Sequence, residues 1–279
     1  MFHKKKNRLK VGLALSGGTA LGIAHIGVIK ALRENKIPID CVAGTSAGAI
    51  AAACLAFDVP LEKMIEISRG MNWQSISEFG YSKLGINSNH PIRELMISAL
   101  GDVKIEEARI PLAIVATDID TGKEIIFHKG NLAQAIMAST CLPGIFIPVK
   151  IDGRKLVDGG LVENLPLSPL KKMGAEIKIG VNLKRNSKYI KIRNIFDVVA
   201  NSYKILSESQ NFLIPGRAEI IIEPNLGEFD STNFRNFEVL LEEGYEATSR
   251  MMAEIKKQLK IDSFQKKNFI RKIIDFFKL

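Results

Sequence analysis

The hydrophobic pattern changes period several times along the chain, and those changes outline a layered architecture. Lys10-Val11-Gly12-Leu13-Ala14-Leu15 is a short, nearly unbroken apolar run, as expected of a strand buried on both faces, and Gly17-Gly18 ends it. From Ala20 to Glu34 the apolar positions Leu21, Ala24, Ile26, Val28, Ile29 and Leu32 recur at helical spacing, which predicts a largely buried helix closing near Asn35. Ile39 to Ala43 reads as a second strand. Strand, helix and strand within about 30 residues make a βαβ unit, whose strands run parallel with a right-handed crossover.

Further strands are predicted at Leu112–Thr117, Glu124–His128, Lys155–Val157, Glu176–Asn182 and Ala218–Glu223. Helices are predicted at Leu61–Arg69, Pro91–Leu100, Leu132–Ser139, Pro166–Met173, Ile195–Gln210 and Phe237–Lys260. Strands interspersed with helices define an α/β fold around a mostly parallel sheet. The sequence shows no internal repeat, and Ser75–Asn89 and Gly227–Arg235 read as linkers.

The second strand runs into Gly44-Thr45-Ser46-Ala47-Gly48, and the helix-forming run Ala49 to Leu55 follows. G-x-S-x-G on a strand-to-helix turn is the nucleophile-elbow pattern: small neighbours admit the tight backbone, and the serine oxygen is left exposed above a helix N-terminus. A serine becomes nucleophilic only when a base takes its proton and fixed dipoles receive the oxyanion. The histidines are His3, His25, His90 and His128, so no histidine lies near the C-terminal end, where the α/β-hydrolase order would put the base. His25 falls inside the first helix and reads as a packed residue supporting the preceding loop. His90 and His128 read as surface or loop positions, and no two histidines have metal-ligand spacing.

A partly desolvated carboxylate can act as the base directly. Asp158, in Val157-Asp158-Gly159-Gly160, ends a short strand at the sheet edge where the elbow also emerges. Asp-Gly-Gly alone is usually a turn, and its pairing with the elbow is what raises Asp158 above that reading. Asp118 and Asp120, flanking Ile119 ahead of Thr121-Gly122, are expected in a hairpin turn. Ser16-Gly17-Gly18-Thr19-Ala20-Leu21-Gly22 opens the first helix, whose leading N–H groups lack intrahelical partners and suit a phosphate or a tetrahedral oxyanion. The phosphate reading is disfavoured by the missing Lys-Ser/Thr of a Walker A loop and by spacing that is not G-x-G-x-x-G.

At 279 residues and 46% hydrophobic content the chain can bury one substantial core. Lys and Arg outnumber Asp and Glu by 39 to 30, a net +9 that favours anionic partners without choosing among nucleic acid, a phospholipid surface and an acidic substrate. Cys41, Cys54 and Cys141 sit in apolar or small-residue contexts without C-x-x-C spacing, which suits free buried thiols in a reducing compartment. The apolar run after Met1-Phe2-His3-Lys4-Lys5-Lys6 is too short for a signal peptide, and no run reaches spanning length, so a cytoplasmic setting is expected, at or near the inner face of a membrane. From Ser263 to Leu279, Phe269, Ile270, Ile273, Ile274 and Phe277 recur at helical spacing among Lys266, Lys267, Arg271, Lys272 and Lys278. That pattern fits a basic amphipathic helix on an anionic membrane and equally a helix docked on the domain with a solvated basic face.

Together, Ser16-Gly17-Gly18 through Gly27, Gly44-Thr45-Ser46-Ala47-Gly48, the Ala138–Pro148 segment of A-S-x-x-x-P-x-x-F-x-P kind, Asp158-Gly159-Gly160 and Asn164-Leu165-Pro166 resemble the patatin-like phospholipase family, in its bacterial branch related to neuropathy target esterase. The resemblance covers roughly Val11 to Leu183. It implies a three-layer α/β/α fold with a mostly parallel central sheet and a C-terminal helical extension. It also implies hydrolysis of phospholipid or lysophospholipid acyl esters by a Ser-Asp dyad without cofactor or metal, with no nucleic-acid partner. By that likeness Ser46 is the nucleophile, Asp158 the base, and the N–H groups of Gly17, Gly18 and Thr19 the oxyanion hole. The implied organisation is a basic segment 1–10, a catalytic domain 11–226 and a basic amphipathic helical extension 227–279. The family's usual G-G-G-x-R-G reads Gly17-Gly18-Thr19-Ala20-Leu21-Gly22 here, and those two replacements keep open a catalytically weak lipid-binding or regulatory protein on the same scaffold. Oligomeric state is left open.

Overall fold

The computed structural model describes residues 8–183, 189, 191–193, 195–211 and 220–276, with 260–276 as backbone alone. β1 (Val11–Leu15) leads through a 3-10 turn (Thr19–Ile23) into α1 (Ala24–Glu34), and β2 (Cys41–Thr45) leads directly into α2 (Ala47–Ala56). Two helices, α3 (Leu61–Arg69) and α4 (Trp73–Ile76), precede a hairpin of β3 (Glu78–Ser82) and β4 (Gly85–Ser88), and α5 (His90–Leu100) follows. The middle of the chain is β5 (Leu112–Asp118), β6 (Lys123–Phe127), α6 (Leu132–Ser139), β7 (Gly144–Phe146), β8 (Val149–Ile151) and β9 (Arg154–Asp158). α7 (Leu167–Lys172), β10 (Ile177–Val181), α8 (Ile195–Asn211), β11 (Ile220–Ile222) and α9 (Phe237–Phe276) complete it.

The main sheet has the order β11-β10-β1-β2-β5-β9-β8, with β6 also paired to β5. From β11 to β5 every pairing is parallel, whereas β6 and β9 pair antiparallel with β5 and β8 with β9. A second sheet, β3-β4-β7, stands apart from it. Residue size separates the faces of the main sheet. Val11, Leu13, Leu15, Val42, Leu112 and Ile114 join one core with α1, α2 and α9. The alternate positions Ala14, Cys41, Ala43 and Ala113 are small, and on their face Leu167 and Leu170 of α7 pack close. Helices therefore cover both faces.

α3 and α6 have the ends the apolar spacing predicts. The second strand starts at Cys41 rather than Ile39, because Asp40 first closes a turn: its carboxylate accepts the Val11 N–H at 2.8 Å, and its own N–H donates to the Val11 carbonyl at 2.8 Å. Ser75–Asn89 is not a linker. Asn72 and Ser75 cap α4 reciprocally, and the hairpin β3–β4 then pairs with β7. Gly227–Arg235 lacks regular structure but is packed: Ser231 accepts the Ala20 N–H, Thr232 accepts the Trp73 indole N–H, and Phe234 meets the Trp73 ring edge-on at 5.9 Å. All three cysteines are free and buried, and burial pushes the Cys41 thiol up to about 11 and those of Cys54 and Cys141 up to about 12. Among the described residues no helix is long and apolar enough to cross a membrane.

The first half of α9 belongs to the main core, where Leu240, Ala247 and Ile255 are buried with α1. The amphipathic face expected over Ser263–Leu279 lies outside the described side chains, as does the Lys4-Lys5-Lys6 cluster. α1 and α9 cross at two glycines. A Cβ on Gly27 would run into the Leu241 carbonyl oxygen, and one on Gly244 into the Ala24 carbonyl oxygen. Gly27→Ala and Gly244→Ala are each expected to lower the unfolding free energy by roughly 2–3 kcal/mol through overpacking. Gly70→Ala, where the nearest atom to the new Cβ is 3.5 Å away, should stay within about 0.5 kcal/mol of the parent in urea titrations.

Candidate active site

Ser46 sits between β2 and α2 with φ +54° and ψ −125°, a conformation that side chains rarely hold without support. The support comes from every side. A Cβ at Gly44 would strike the Gly48 carbonyl, and one at Gly48 the Leu15 carbonyl, so both outer positions of Gly44-Thr45-Ser46-Ala47-Gly48 require glycine. The Ser46 N–H donates to Ser139 Oγ at 2.9 Å, and the Ser139 hydroxyl donates in turn to the Val115 carbonyl at 2.6 Å. The Thr45 hydroxyl donates to the Glu163 carbonyl at 2.9 Å.

Strand register brings Asp158 to the elbow. β6 lies along β5 from Ile114 to Asp118, β2 pairs with β5 over Leu112–Val115, and β9 pairs with it over Ala116–Asp118. A strand has two edges, and β6 overlaps both other partners, so β2 and β9 share the opposite edge end to end. Thr45 faces Val115 and Asp158 faces Ala116, one residue further along, a step of about 3.4 Å. Asp158 is 1% exposed. Its Oδ1 accepts the Gly160 N–H at 2.8 Å, its N–H donates to the Cys141 carbonyl at 2.8 Å, and its carbonyl accepts the Thr117 hydroxyl. Tyr203 of α8 packs over the same turn, and burial, followed by the charge of Asp158, pushes its phenol well above the ordinary value.

The glycine-rich loop abuts the serine: a Cβ on Gly17 would stand 3.1 Å from Ser46 Cβ and 2.7 Å from Asn164 Oδ1. The Gly17 N–H already donates to the Asn164 carbonyl at 3.1 Å. Among the described residues the N–H groups of Gly18 and Thr19 have no acceptor. Thr19 has φ +53°, which explains why a glycine suits this position, and Leu21 is wholly buried where the family pattern has arginine. His25 Nε2 lies 2.8 Å from the Ser16 carbonyl, and burial drives its pKa down to about 4, so it is a neutral donor bracing the loop. His90 and His128 are on the surface. Asp118 and Asp120 form the β5–β6 turn, where Asp118 accepts the Asp120 N–H and Asp120 pairs with Lys155. No cluster of metal-ligating side chains occurs among the described residues.

Beside Ser46 opens a cavity of about 40 Å³, lined by Thr19, Ile50, Met71, Trp73, Phe146 and Phe234 among others. A second cavity, of about 50 Å³, shares Thr19, Ala47, Ile50, Met71 and Phe234 with it and extends along α2 to Cys54 and Met64. Ser139 and Tyr203 went unnoticed in the sequence; the former stood inside the Ala138–Pro148 block, whereas nothing local marks the latter. Behind the elbow, Glu163 is half-buried beside Glu124, and Ser168 bonds it through both N–H and hydroxyl at 2.9 and 2.8 Å. Burial first, then the neighbouring Glu124, pushes the Glu163 carboxyl up to about 7. Lys172 reaches Glu124 at 3.9 Å.

A serine on a strand-to-helix elbow, a glycine-rich turn against it and a buried aspartate at the end of an adjoining antiparallel strand define an α/β/α protein of patatin type. A family model described as Patatin-like phospholipase matches residues 13–171. The chain belongs to the patatin-like phospholipase family. It is 37% identical over 177 residues to an uncharacterised NTE family protein of Mycobacterium tuberculosis, covering 62% of this chain and 49% of that one. It is 31% identical over 191 residues to the lysophospholipase nte1 of Emericella nidulans, covering 65% of this chain and 12% of that one. The chain thus spans about half the length of the first relative and a small part of the second. VipD from Legionella pneumophila shares the fold with a TM-score of 0.53 at 15% identity, over 88% of this chain and 67% of that one.

Thr19→Gly should raise the unfolding free energy by about 1 kcal/mol, read as a higher melting temperature, because it removes a left-handed branched residue. For Glu163, the ordinary carboxyl value is 4.5 and the folded one about 7, so the folded chain holds more protons than the unfolded chain between these limits. Stability therefore falls as pH rises through that window. Glu163→Gln should flatten the fall, raising the urea midpoint at about pH 8 while changing it little below the ordinary carboxyl range.

Proposed function

We propose that this chain is a serine acyl hydrolase of lipids, cleaving phospholipid or lysophospholipid esters through Ser46, Asp158 and an acyl-enzyme. The observation that carries the reading is the meeting of β2 and β9 on one edge of β5, with the strained serine at one strand end and a buried carboxylate at the other. The family match and the lysophospholipase name of the Emericella relative support a lipid ester as substrate. The apolar cavities running from Ser46 along α2 have the lining an acyl chain needs.

In this mechanism Asp158 takes the Ser46 hydroxyl proton as Oγ attacks the ester carbonyl. The Gly160 N–H bond on Oδ1 orients the carboxylate, which takes the proton in this mechanism. Gly18 and Thr19 N–H groups receive the oxyanion, while Gly17, bonded to Asn164, holds the loop in place. Asp158 returns the proton to the leaving alcohol, and a water that it then deprotonates releases the fatty acid. The reaction as drawn uses only groups of this chain and water. Its substrate lies in a bilayer, so an anionic membrane surface is the partner this reading requires, at the inner face of the membrane of a cytoplasmic protein.

Thr19, left-handed and lining the cavity, favours one competing reading: a lipid-binding or regulatory protein of little turnover. One experiment separates the two. Wild type should hydrolyse p-nitrophenyl esters and label with a fluorophosphonate probe. Ser46→Ala and Asp158→Asn should each lose at least about 10³-fold in turnover with an unchanged melting temperature. Wild-type turnover in purified Ser46→Ala would overturn the assignment, and an unlabelled, inactive wild type would favour the regulatory reading.

A further inference from the structure

The cavity at Ser46 opens beside the small sheet, and the surroundings of that opening are apolar where a soluble surface would be polar. β7 is the common border. Its Phe146 lines the cavity, its edge carries β4, and its Gly144 lies against Val199 of α8. On the hairpin, Gly80 packs toward Ile147, so its strand neighbour Phe79 points the other way and is 83% exposed. Leu84, at the hairpin turn, is exposed with it, and Ile86 of β4 is exposed on the opposite pleat, since Asn87 is the residue that pairs with Phe79. On the far side of β7, Val199 and Tyr203 face inward, while Ile192, at 61% exposure, Ile195 and Val198 lie outward.

Cations are interspersed with this apolar rim. Lys83 stands at the hairpin tip, and Lys191 and Arg193 flank Ile192, all three exposed. Of the acids nearby, Asp197 accepts the Arg193 N–H at 2.8 Å, and Glu78 sits at the open end of the hairpin, away from Lys83. Apolar side chains set among lysine and arginine fit the boundary between anionic headgroups and acyl chains, where the stems bury and the charges meet phosphate. A rim of this kind around a polar ligand's pocket would be a solubility liability. Around the mouth of a lipid pocket it shortens the path from bilayer to serine.

We infer that the β3–β4 hairpin and the start of α8 form an anionic-bilayer docking face that seats the mouth of the Ser46 cavity on the membrane. This rests on the reading of that cavity as a lipid acyl site, and it assigns membrane contact to a surface other than the C-terminal helix.

The test uses the full chain as wild type, Ser46→Ala, Phe79→Ser/Leu84→Ser and Ile192→Ser/Ile195→Ser. Each is sedimented with vesicles of mixed phosphatidylglycerol and phosphatidylcholine, and with vesicles of phosphatidylcholine alone. Wild type and Ser46→Ala should bind the anionic vesicles equally and the neutral ones weakly. Each double variant should lose at least about tenfold in vesicle affinity while hydrolysing p-nitrophenyl butyrate at the wild-type rate. Undiminished vesicle binding by both double variants would overturn the docking face, as would equal binding of wild type to neutral vesicles. A wild-type dimer that the double variants dissolve, with no vesicle binding, would make the face a contact between copies of the chain and overturn it too. Absent ester turnover in wild type, with vesicle binding as expected, would sink the hydrolase reading and leave the face standing.

Discussion

A serine at φ +54° and ψ −125° persists only where the surrounding structure leaves the backbone no cheaper alternative, and the closeness of β1, β2 and α2 is what removes the alternatives. The Leu15 carbonyl fills the space a side chain at Gly48 would need, so α2 starts directly against the end of β1. The Ser46 N–H then has one acceptor, Ser139 Oγ, which is itself tied to the Val115 carbonyl. Strain of this kind costs roughly 1–3 kcal/mol and is tolerable because each tie reaches a different, independently packed element. Ser139 ends α6, Val115 lies in β5 and Glu163, bonded to Thr45, precedes α7. Bending the serine back would break all of them together.

That arrangement explains which features were legible in the linear chain. Strands β1 and β5 and helices α3 and α6 are each specified by their own residues, through unbroken apolar runs or helical spacing, and appear where the pattern puts them. The elbow was legible because glycine at positions 44 and 48 is a local steric demand. The hairpin β3–β4 was not, because its apolar Phe79 and Ile86 are exposed while Gly80 and Gly85 carry no side chain where they pack at Ile147 and Phe146. Read alone, such a stretch is a linker. Its order comes from pairing with β7, some sixty residues on, as the match of Gly85 with Gly144 shows. Tyr203 was hidden for a related reason, since its part follows from how α8 lies on the Asp158–Gly160 turn, which no spacing within α8 announces.

The glycine-rich loop depends still more on distant sequence. Ser16 bonds to Val181 and Leu183, Gly17 to Asn164 and Ala20 to Ser231. These partners lie well over a hundred residues away along the chain, so the shape of the loop rests on β10 and on the segment before α9 being in place. His25 is the exception, a near neighbour in sequence that braces the loop from inside α1. Its neutrality follows from burial, so the bracing bond does not bring a charge next to the loop. The left-handed Thr19 is held between Gly18, whose carbonyl accepts the Leu21 N–H, and Ala20, bonded to Ser231. The loop and the elbow thus each carry one non-glycine residue in left-handed conformation, and these two residues share one cavity.

The change of direction within the main sheet is what lets serine and aspartate meet at all. In a purely parallel sheet two strands sharing one edge of a third would run the same way, and the end of one would meet the beginning of the other. Here β2 runs parallel to β5 and β9 antiparallel to it, so both reach the same point of that edge with their C-terminal ends. Each strand end then supplies a tight turn: Ser46 into α2, and Asp158 into the Gly159–Leu161 turn. Glycine is needed at both, because Gly159 is packed against the Val115 carbonyl just as Gly48 is packed against that of Leu15. The Val115 carbonyl lies where the two strand ends meet, touching Gly159 and accepting the Ser139 hydroxyl that holds Ser46. A slip of β9 along β5 by one residue would separate the two turns, which is why buried register, rather than any single side chain, sets the spacing of Ser46 and Asp158.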